Sequence, residues 1–286
     1  MKTTPSLTLD PAQQPPSVDD MDPQTFRSHG KLMVEWIATY LDQMGTYPVL
    51  AHTAPGDIRR ALPDHPPLQP EPMEAILSDV ERVLLPGITH WNAPGFMAYF
   101  GITASGPGIL GEMLMAALNV NAMLWRTSPA ATELEQVTLD WLRQLLGFPY
   151  PLFGLMHESA SSGVLTALAA ARQAIPNARI RELGMAGRAD LAPLRYYASQ
   201  EAHSSVEKAG IVLGLGQTGL HKIGIDSALR MDVAELEQAI QQDLAAGLRP
   251  FAVVATVGTT STTSIDPVPQ ISDLCERYGL WLHVDA

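Results

Sequence analysis

The chain has 286 residues and a formal net charge of −12, from 18 basic and 30 acidic side chains. This acidity argues against nucleic acid or an anionic membrane as a partner, and no apolar run is long enough to span a membrane. The single cysteine, Cys275, excludes an internal disulfide framework; with no secretory signal at the N-terminus, a cytoplasmic location is expected.

The first part of the chain predicts helices separated by a long irregular segment. Residues 1–21, rich in Pro, Ser, Thr and Gln, are typical of a disordered tail. A helix begins at Asp22 and Pro23, an N-cap followed by proline, and ends near Gly45. Residues 47–72 contain many prolines and predict an extended arm without a core, which must lie on another surface such as a second subunit. A second helix is predicted over residues 74–85.

An aromatic stretch follows, and two more predicted helices come after it. Residues 90–101 interleave aromatic side chains with glycine and proline, which fits either a ligand wall or packing beneath a loop. A third helix is predicted over residues 106–118, and a fourth begins at Ser128 and Pro129. Apolar residues recur on the fourth helix at helical spacing and predict a buried stripe: Leu134, Val137, Trp141, Leu142 and Leu145.

From residue 150 the pattern changes to helices that alternate with short strands. Strands are predicted over residues 194–198, 220–225, 251–256 and 280–286, with helices over 163–174, 204–212, 232–245 and 266–278. This alternation is typical of βαβ units and predicts an α/β fold with a mostly parallel sheet and flanking helices.

Residues 158–163 form a small-residue segment directly before a predicted helix. Backbone N–H groups and the helix dipole at such a position favour an anion, typically a phosphate. A cluster of serines is also a common helix N-cap, so the segment taken alone fits both interpretations.

Three further residues stand where strands are predicted to end. His203 precedes a helix and either lies flat on an aromatic ring or is a solvated turn residue. Because no second His or Cys stands nearby at ligand spacing, a metal site is not predicted there. Thr256 closes an apolar strand, where its hydroxyl bonds either a ligand or the loop backbone. Asp285 closes the last strand and either caps a turn or faces a cationic ligand.

These features together suit pyridoxal phosphate as a ligand. The anion site at residues 158–163 would bind its phosphate, the histidine would lie flat on its ring, the hydroxyl would bond the ring, and the carboxylate would face its protonated ring nitrogen.

The sequence resembles the group II pyridoxal-phosphate-dependent amino acid decarboxylases, nearest to those that act on aromatic amino acids. The resemblance runs from Met21 to Ala286 and depends on these segments in order: Pro86–Trp91, Ala98–Phe100, Ser128–Glu135, Ser159–Ser161, Ala202–Glu207, Ala255–Thr260 and Trp281–Ala286.

The resemblance implies a fold type I enzyme that decarboxylates an L-amino acid, works in the cytoplasm and forms a homodimer. Residues 22–103 would be an N-terminal helical dimerisation segment and 104–286 the cofactor-binding large domain, incomplete at its C-terminus. The implied cofactor residues are Ala160 and Ser161 for the phosphate, His203 stacked on the ring, Thr256 near its substituents and Asp285 at its nitrogen; His203 and Asp285 also count as catalytic. The implied substrate wall consists of Trp91, Tyr99, Phe100 and Ile102.

The chain departs from the family pattern at its lysines. None of its four lysines, at positions 2, 31, 208 and 222, stands in the context of the family's Schiff-base lysine. We therefore expect an N-terminal fragment that is inactive alone. Two alternatives stay open: an aldehyde synthase of the same family, or a truncated chain that acts only as a dimer partner. Asn92, Met123 and Glu158 also differ from the family pattern, which leaves the identity of the amino acid open.

Overall fold

A computed structural model describes residues 21–66 and 70–286 and divides the chain into two compact units, residues 1–109 and 110–286. The boundary predicted at residues 103 and 104 lies close to this division. Of the predicted tail, only Met21 is among the described residues.

The first unit consists of short helices around a small core. Helix α1 (Pro23–Asp42) begins as predicted, because the Asp22 carboxylate accepts hydrogen bonds from the N–H groups of Gln24 and Thr25. Residues 47–72 were predicted to be an extended arm, and this is wrong at α2 (Asp57–Ala61), a short helix in which Asp57 and Arg60 form an i,i+3 ion pair. Helix α3 (Met73–Asp79) continues as one wider π-type turn over Val80–Leu84.

Two helices expose almost all of their apolar side chains. These are α4 (Gly106–Leu118), which contains the division between the units, and α5 (Pro129–Leu145), which Ser128 caps as predicted. Neither contains a buried residue. The prediction of a buried stripe on α5 is therefore wrong for this chain, since Trp141 is 60% exposed and Leu145 is 85% exposed. The amphipathic pattern is present, but nothing among the described residues covers it.

The second unit contains a four-stranded parallel sheet, as the sequence predicted, with strand order β2-β1-β3-β4. The elements in chain order are α6 (Ala160–Gln173), α7 (Ile180–Leu183), β1 (Leu194–Ser199), α8 (Ser204–Val212), β2 (Leu220–Ile223), α9 (Val233–Ala245), β3 (Arg249–Thr256), α10 (Val268–Tyr278) and β4 (Trp281–Asp285). Strand β3 is central, and its residues from Phe251 to Thr256 are all buried. Its continuous apolar run is what burial on both faces of a parallel sheet requires.

Helices cover both faces of the sheet. Helices α6 and α8 pack on one face, through a cluster that includes Leu168, Val206 and Val254. Helices α9 and α10 pack on the other, through a cluster that includes Ile240, Ile271 and Val253. The change of face follows from right-handed crossovers, because the chain steps outward from β1 to β2 and then returns past β1 to β3 and β4.

Close packing of β1 against α8 depends on one glycine. The hydroxyl of Tyr196 donates to the carbonyl of Val206 at 3.0 Å, and a Cβ at Gly210 would collide with the Tyr196 ring. Any side chain at Gly210 would therefore push α8 away from the sheet and shift its first residue.

Cys275 lies on α10 and is buried, and burial raises the pKa of its thiol to about 12. Within the part of the chain that the structure describes, no helix combines the length and the apolar character needed to cross a bilayer.

Candidate active site

The topology of the sheet creates a crevice at its carboxyl edge. The chain leaves β1 toward β2 on one side and reaches β3 on the other side of β1. In open α/β sheets, ligands bind outside the carboxyl ends of the strands at such a switch point. The loops after β1 and β3 are therefore where a ligand site is expected.

Helix α6 runs antiparallel to the strands and directs its N-terminus toward that edge. Its C-terminal end lies at the opposite edge, where Arg249, at the start of β3, donates to the carbonyl of Pro176 at 3.1 Å. Ala174 and Ile175 share a small cavity there with Trp281, the first residue of β4. A helix of 14 residues is about 21 Å long, close to the length of β3, so its first turn reaches the carboxyl edge.

The first turn of α6 contains both predicted phosphate residues. The helix begins at Ala160 and not at Gly163 as predicted, so Ala160 and Ser161 are its first two residues. Ser159 is the N-cap, and its hydroxyl accepts from the Ser162 N–H at 3.3 Å. The N–H groups of Ala160 and Ser161 have no intrahelical acceptor and leave the helix end toward the crevice. This is the geometry of an anion site.

Glu158 places a carboxylate beside this anion site. Hydrogen bonds from its own backbone N–H and then from Ser162 lower its pKa, so it is ionised at neutral pH.

Thr256 and Asp285 meet at the ends of two neighbouring strands. They are register partners in the pairing of β3 with β4, so both side chains lie on the same face of the sheet. That face is the one covered by α6 and α8, because Val254 belongs to the cluster that these helices form. The Thr256 hydroxyl oxygen is buried without a hydrogen-bond partner, and the half-buried Asp285 carboxylate makes no hydrogen bond or ion pair with any described residue. Buried polar atoms in proteins normally have a hydrogen-bond partner, so the unpaired Thr256 hydroxyl oxygen points to a ligand as its partner.

A buried carboxylate that the sequence did not identify fixes the end of β3. Asp266, which is 2% exposed, accepts from the N–H of Thr256 at 2.8 Å and from the N–H of Met231 at 2.7 Å. The sequence placed Asp266 at the start of a helix. Instead, α10 begins at Val268, and the carboxylate joins β3 to the segment before α9. Asp266 therefore positions Thr256.

His203 follows β1 and stands directly before α8. Its Nδ1 accepts from the Ser205 N–H at 3.2 Å, so the ring is the N-cap of α8. A backbone N–H can only donate, so neutral His203 carries its proton on Nε2. The ring is exposed at the crevice and is available to a ligand.

His283 was not identified from the sequence and lies on the same face as Asp285, because the two are two residues apart in β4. Its Nε2 is buried with no hydrogen-bond partner among the described residues. Burial lowers the pKa of His283, and the nearby Asp285 carboxylate partly opposes this.

The four predicted substrate residues belong to the first unit. Trp91 stacks with Tyr99 at 5.6 Å between ring centres and with Phe96 at 4.7 Å, so the three aromatic rings form two stacked pairs that share Trp91. Phe100 and Ile102 are 58% and 86% exposed. The structure thus brings Trp91 and Tyr99 together and leaves Phe100 and Ile102 as open apolar surface.

No group of three or more His, Cys, Asp or Glu side chains suited to a metal ion occurs within residues 21–66 and 70–286. The candidate site therefore consists of backbone N–H groups, a hydroxyl, an imidazole and a carboxylate.

Comparison with known proteins gives consistent matches. The family model described as the pyridoxal-dependent decarboxylase conserved domain matches residues 55–286. The chain is 40% identical to phenylacetaldehyde synthase of Petunia hybrida over 274 residues, covering 93% of this chain and 53% of the relative. It is 40% identical to aromatic-L-amino-acid decarboxylase of Mus musculus over 279 residues, covering 93% of this chain and 57% of the relative.

A solved structure is similar over most of the chain. The structure of Oryza sativa TDC with PLP and tryptamine superimposes with a TM-score of 0.85 at 33% identity, covering 94% of this chain and 59% of that one. The expected fold type I architecture is thereby confirmed. The chain spans just over half the length of the curated relatives that it matches.

Proposed function

Because this chain belongs to the pyridoxal-dependent decarboxylase family, we propose that it carries the cofactor site of an enzyme that decarboxylates an aromatic L-amino acid. The products would be the corresponding amine and carbon dioxide, formed in the cytoplasm. The observation that carries this proposal is that Thr256 and Asp285 end the neighbouring strands β3 and β4 on the face packed by α6, whose N-terminus is directed toward the same carboxyl edge.

Pyridoxal phosphate, the cofactor predicted from the sequence, is the cofactor of this family, and the residues at the crevice fit it. The N–H groups of Ala160 and Ser161 suit a phosphate. The buried Thr256 hydroxyl, which has no hydrogen-bond partner among the described residues, suits a polar ring substituent. When bound, the cofactor supplies an aromatic ring that accepts the electron pair released at the substrate's Cα.

Asp285 and His203 are the residues that we assign to catalysis. The Asp285 carboxylate, which makes no hydrogen bond or ion pair with any described residue, would hold a proton on the ring nitrogen. His203, fixed as the N-cap of α8, would pack flat against the ring and limit access of water to it. Asp266 does not contact the ring itself; its carboxylate holds the backbone of Thr256 at the end of β3.

An aromatic substrate is supported by the wall that contains Trp91 and Tyr99. Stacked rings with exposed faces bind another aromatic ring in an offset or edge-to-face arrangement. Phe100 and Ile102 would extend this wall. The relatives' names point the same way, since the matches include an aromatic-L-amino-acid decarboxylase.

An aldehyde synthase is a second candidate, because a phenylacetaldehyde synthase is as similar to this chain as the decarboxylase is. Such an enzyme would consume oxygen and water and release an aldehyde, carbon dioxide, ammonia and hydrogen peroxide. Assays for peroxide and ammonia beside the amine distinguish the two activities.

We further propose that residues 1–286 alone do not turn over substrate, because no described lysine is placed for the task. Lys222 is on β2 and pairs with Glu207 at 2.6 Å, Lys208 is exposed on α8, and Lys31 is on α1 in the first unit.

The proposal that residues 1–286 alone are inactive is tested by borohydride reduction of the protein as its source cell makes it, followed by measurement of its intact mass. The mass should exceed that of this chain and show the cofactor fixed to another lysine. A mass of 286 residues with no adduct would instead favour a chain that acts only as a dimer partner.

We propose a homodimer formed through the N-terminal helices. Phe26 and Val34 of α1 are 63% and 43% exposed, and α4 and α5 add further exposed apolar surface. Large exposed apolar side chains of this kind mark a protein interface. Light scattering should give twice the subunit mass, and a monomer that is fully active would contradict the proposal.

The decisive assay compares two aspartate variants of the enzyme purified from its source cell. Asp285→Ala should reduce amine formation by roughly 10²–10³-fold, because the ring nitrogen loses its charge partner. Asp273→Ala, an exposed aspartate on α10, is the matched control and should keep normal turnover. Near-normal turnover in Asp285→Ala would overturn the assignment.

A further inference from the structure

A second cavity lies in the first unit, apart from the residues assigned above. It has a volume of about 270 Å³ and is bounded by α1 and the turn that follows α3. Its walls include three aromatic residues, Trp36, Tyr40 and Tyr47, and two carboxylates, Glu35 and Glu81. This volume suits a small organic molecule and exceeds that of a single water molecule.

The aromatic walls are held in a fixed arrangement. The rings of Trp36 and Tyr40 are parallel within 6°, with centres 5.6 Å apart, and Tyr47 is tilted by 41° against Tyr40. The Trp36 indole donates to Glu81 Oε1 at 2.8 Å, and the Tyr40 hydroxyl is 2.8 Å from Nδ1 of the buried His90. Both ring positions are therefore fixed by hydrogen bonds at their polar ends.

The charge in the cavity is negative. Its lining contains two carboxylates and no Lys or Arg. In the described ranges neither Glu35 nor Glu81 forms an ion pair, whereas the neighbouring Arg82 pairs with Asp79. Aromatic faces beside carboxylates attract cations, and organic ammonium ions most strongly, because such ions are poorly hydrated.

We propose that this cavity binds a small organic ammonium ion against Trp36, Tyr40 and Tyr47, with Glu81 as the charge partner. The site does not depend on the proposed decarboxylase activity. Val34, one of the exposed apolar residues of α1, stands two residues before Trp36 and leaves the helix on the opposite side.

The test is a titration of the purified protein with choline and with its neutral isostere 3,3-dimethylbutan-1-ol, in phosphate buffer free of amines. The indole N–H resonance of Trp36, assigned with Trp36→Phe, reports binding directly. Choline should shift this resonance in a saturable way, and the alcohol should bind roughly three- to thirty-fold more weakly.

Matched variants separate the site from the surface charge. Glu81→Gln should weaken choline binding several-fold, whereas Glu74→Gln, an exposed glutamate on α3, should leave it unchanged. Trp36→Phe keeps an aromatic face and should retain most of the affinity as measured by calorimetry. Equal binding of choline and the alcohol, equal effects of the two glutamate variants, or no choline binding at all would each overturn the proposal.

Discussion

Leu168 and Leu145 are both leucines on the apolar side of an amphipathic helix, yet Leu168 is 0% exposed and Leu145 is 85% exposed. The contrast extends to their whole regions. Within residues 160–286, helices cover both faces of the sheet and create two buried clusters. Within residues 102–158, by contrast, the only buried residue is Ser128. Helical periodicity therefore indicates which side of a helix is apolar, but not whether this chain itself supplies the surface that covers it.

The largest difference between the two regions should appear in stability. Leu168→Ala should lower the free energy of unfolding by about 2–5 kcal/mol, because it leaves a cavity in the core beneath α6. Leu145→Ala should change it by less than about 0.5 kcal/mol. Urea unfolding of both variants measures this. Equal losses would show that α5 is covered in solution and would remove the contrast.

Asp266 should be the most sensitive polar residue of the sheet region. Asp266→Ala leaves the N–H groups of Thr256 and Met231 buried without an acceptor, which costs about 2–4 kcal/mol. Asp266→Asn keeps one acceptor oxygen and should lose less. Thermal unfolding gives the ranking. If both variants match wild type, the carboxylate does not hold β3.

A negative charge introduced in the first turn of α6 should weaken the binding of pyridoxal phosphate without destabilising the fold. Ser161→Asp should reduce affinity for pyridoxal phosphate by roughly tenfold, or about 1.4 kcal/mol, through repulsion of the phosphate. The same charge favours the helix N-terminus, so the melting temperature should not fall. Thr166→Asp, exposed farther along α6, is the control for an absorbance titration. Equal affinities in the two variants would place the phosphate elsewhere.

The smallest effect concerns pH. Burial lowers the pKa of His283, so the unfolded state binds a proton more readily than the folded state does. The resulting stability is present above the ordinary histidine pKa and is lost as pH falls through the lowered value. Urea unfolding at pH 7.5 and pH 5.5 should therefore show a smaller drop for His283→Gln than for wild type. An unchanged drop would mean that His283 is not buried in its neutral form.

The sheet region was largely predictable because its signals are local. The helix predicted from residue 232 is α9 with Asp232 as its N-cap, α8 has the predicted bounds, and the apolar run before Thr256 forms a central strand. Asp285 was found because a carboxylate after a buried strand needs a partner. These patterns depend on a few consecutive residues and on one periodicity.

What the sequence did not reveal depends on distant contacts. The role of Asp266 requires Met231, which is 35 positions away in the chain. The start of α6 at Ala160 was missed because Ser, Ala and Ser favour a loop as readily as a first helical turn. The exposure of α5 was missed because apolar periodicity shows which side of a helix is apolar and not whether that side is covered.

The most direct test of the central claim is a crystal structure of the protein soaked with pyridoxal phosphate. We expect the phosphate within hydrogen-bond distance of the Ala160 and Ser161 N–H groups, with the ring nitrogen facing Asp285 and the ring against His203. A cofactor bound elsewhere, with the N-terminus of α6 free of phosphate, would contradict the assignment of the crevice as the active site.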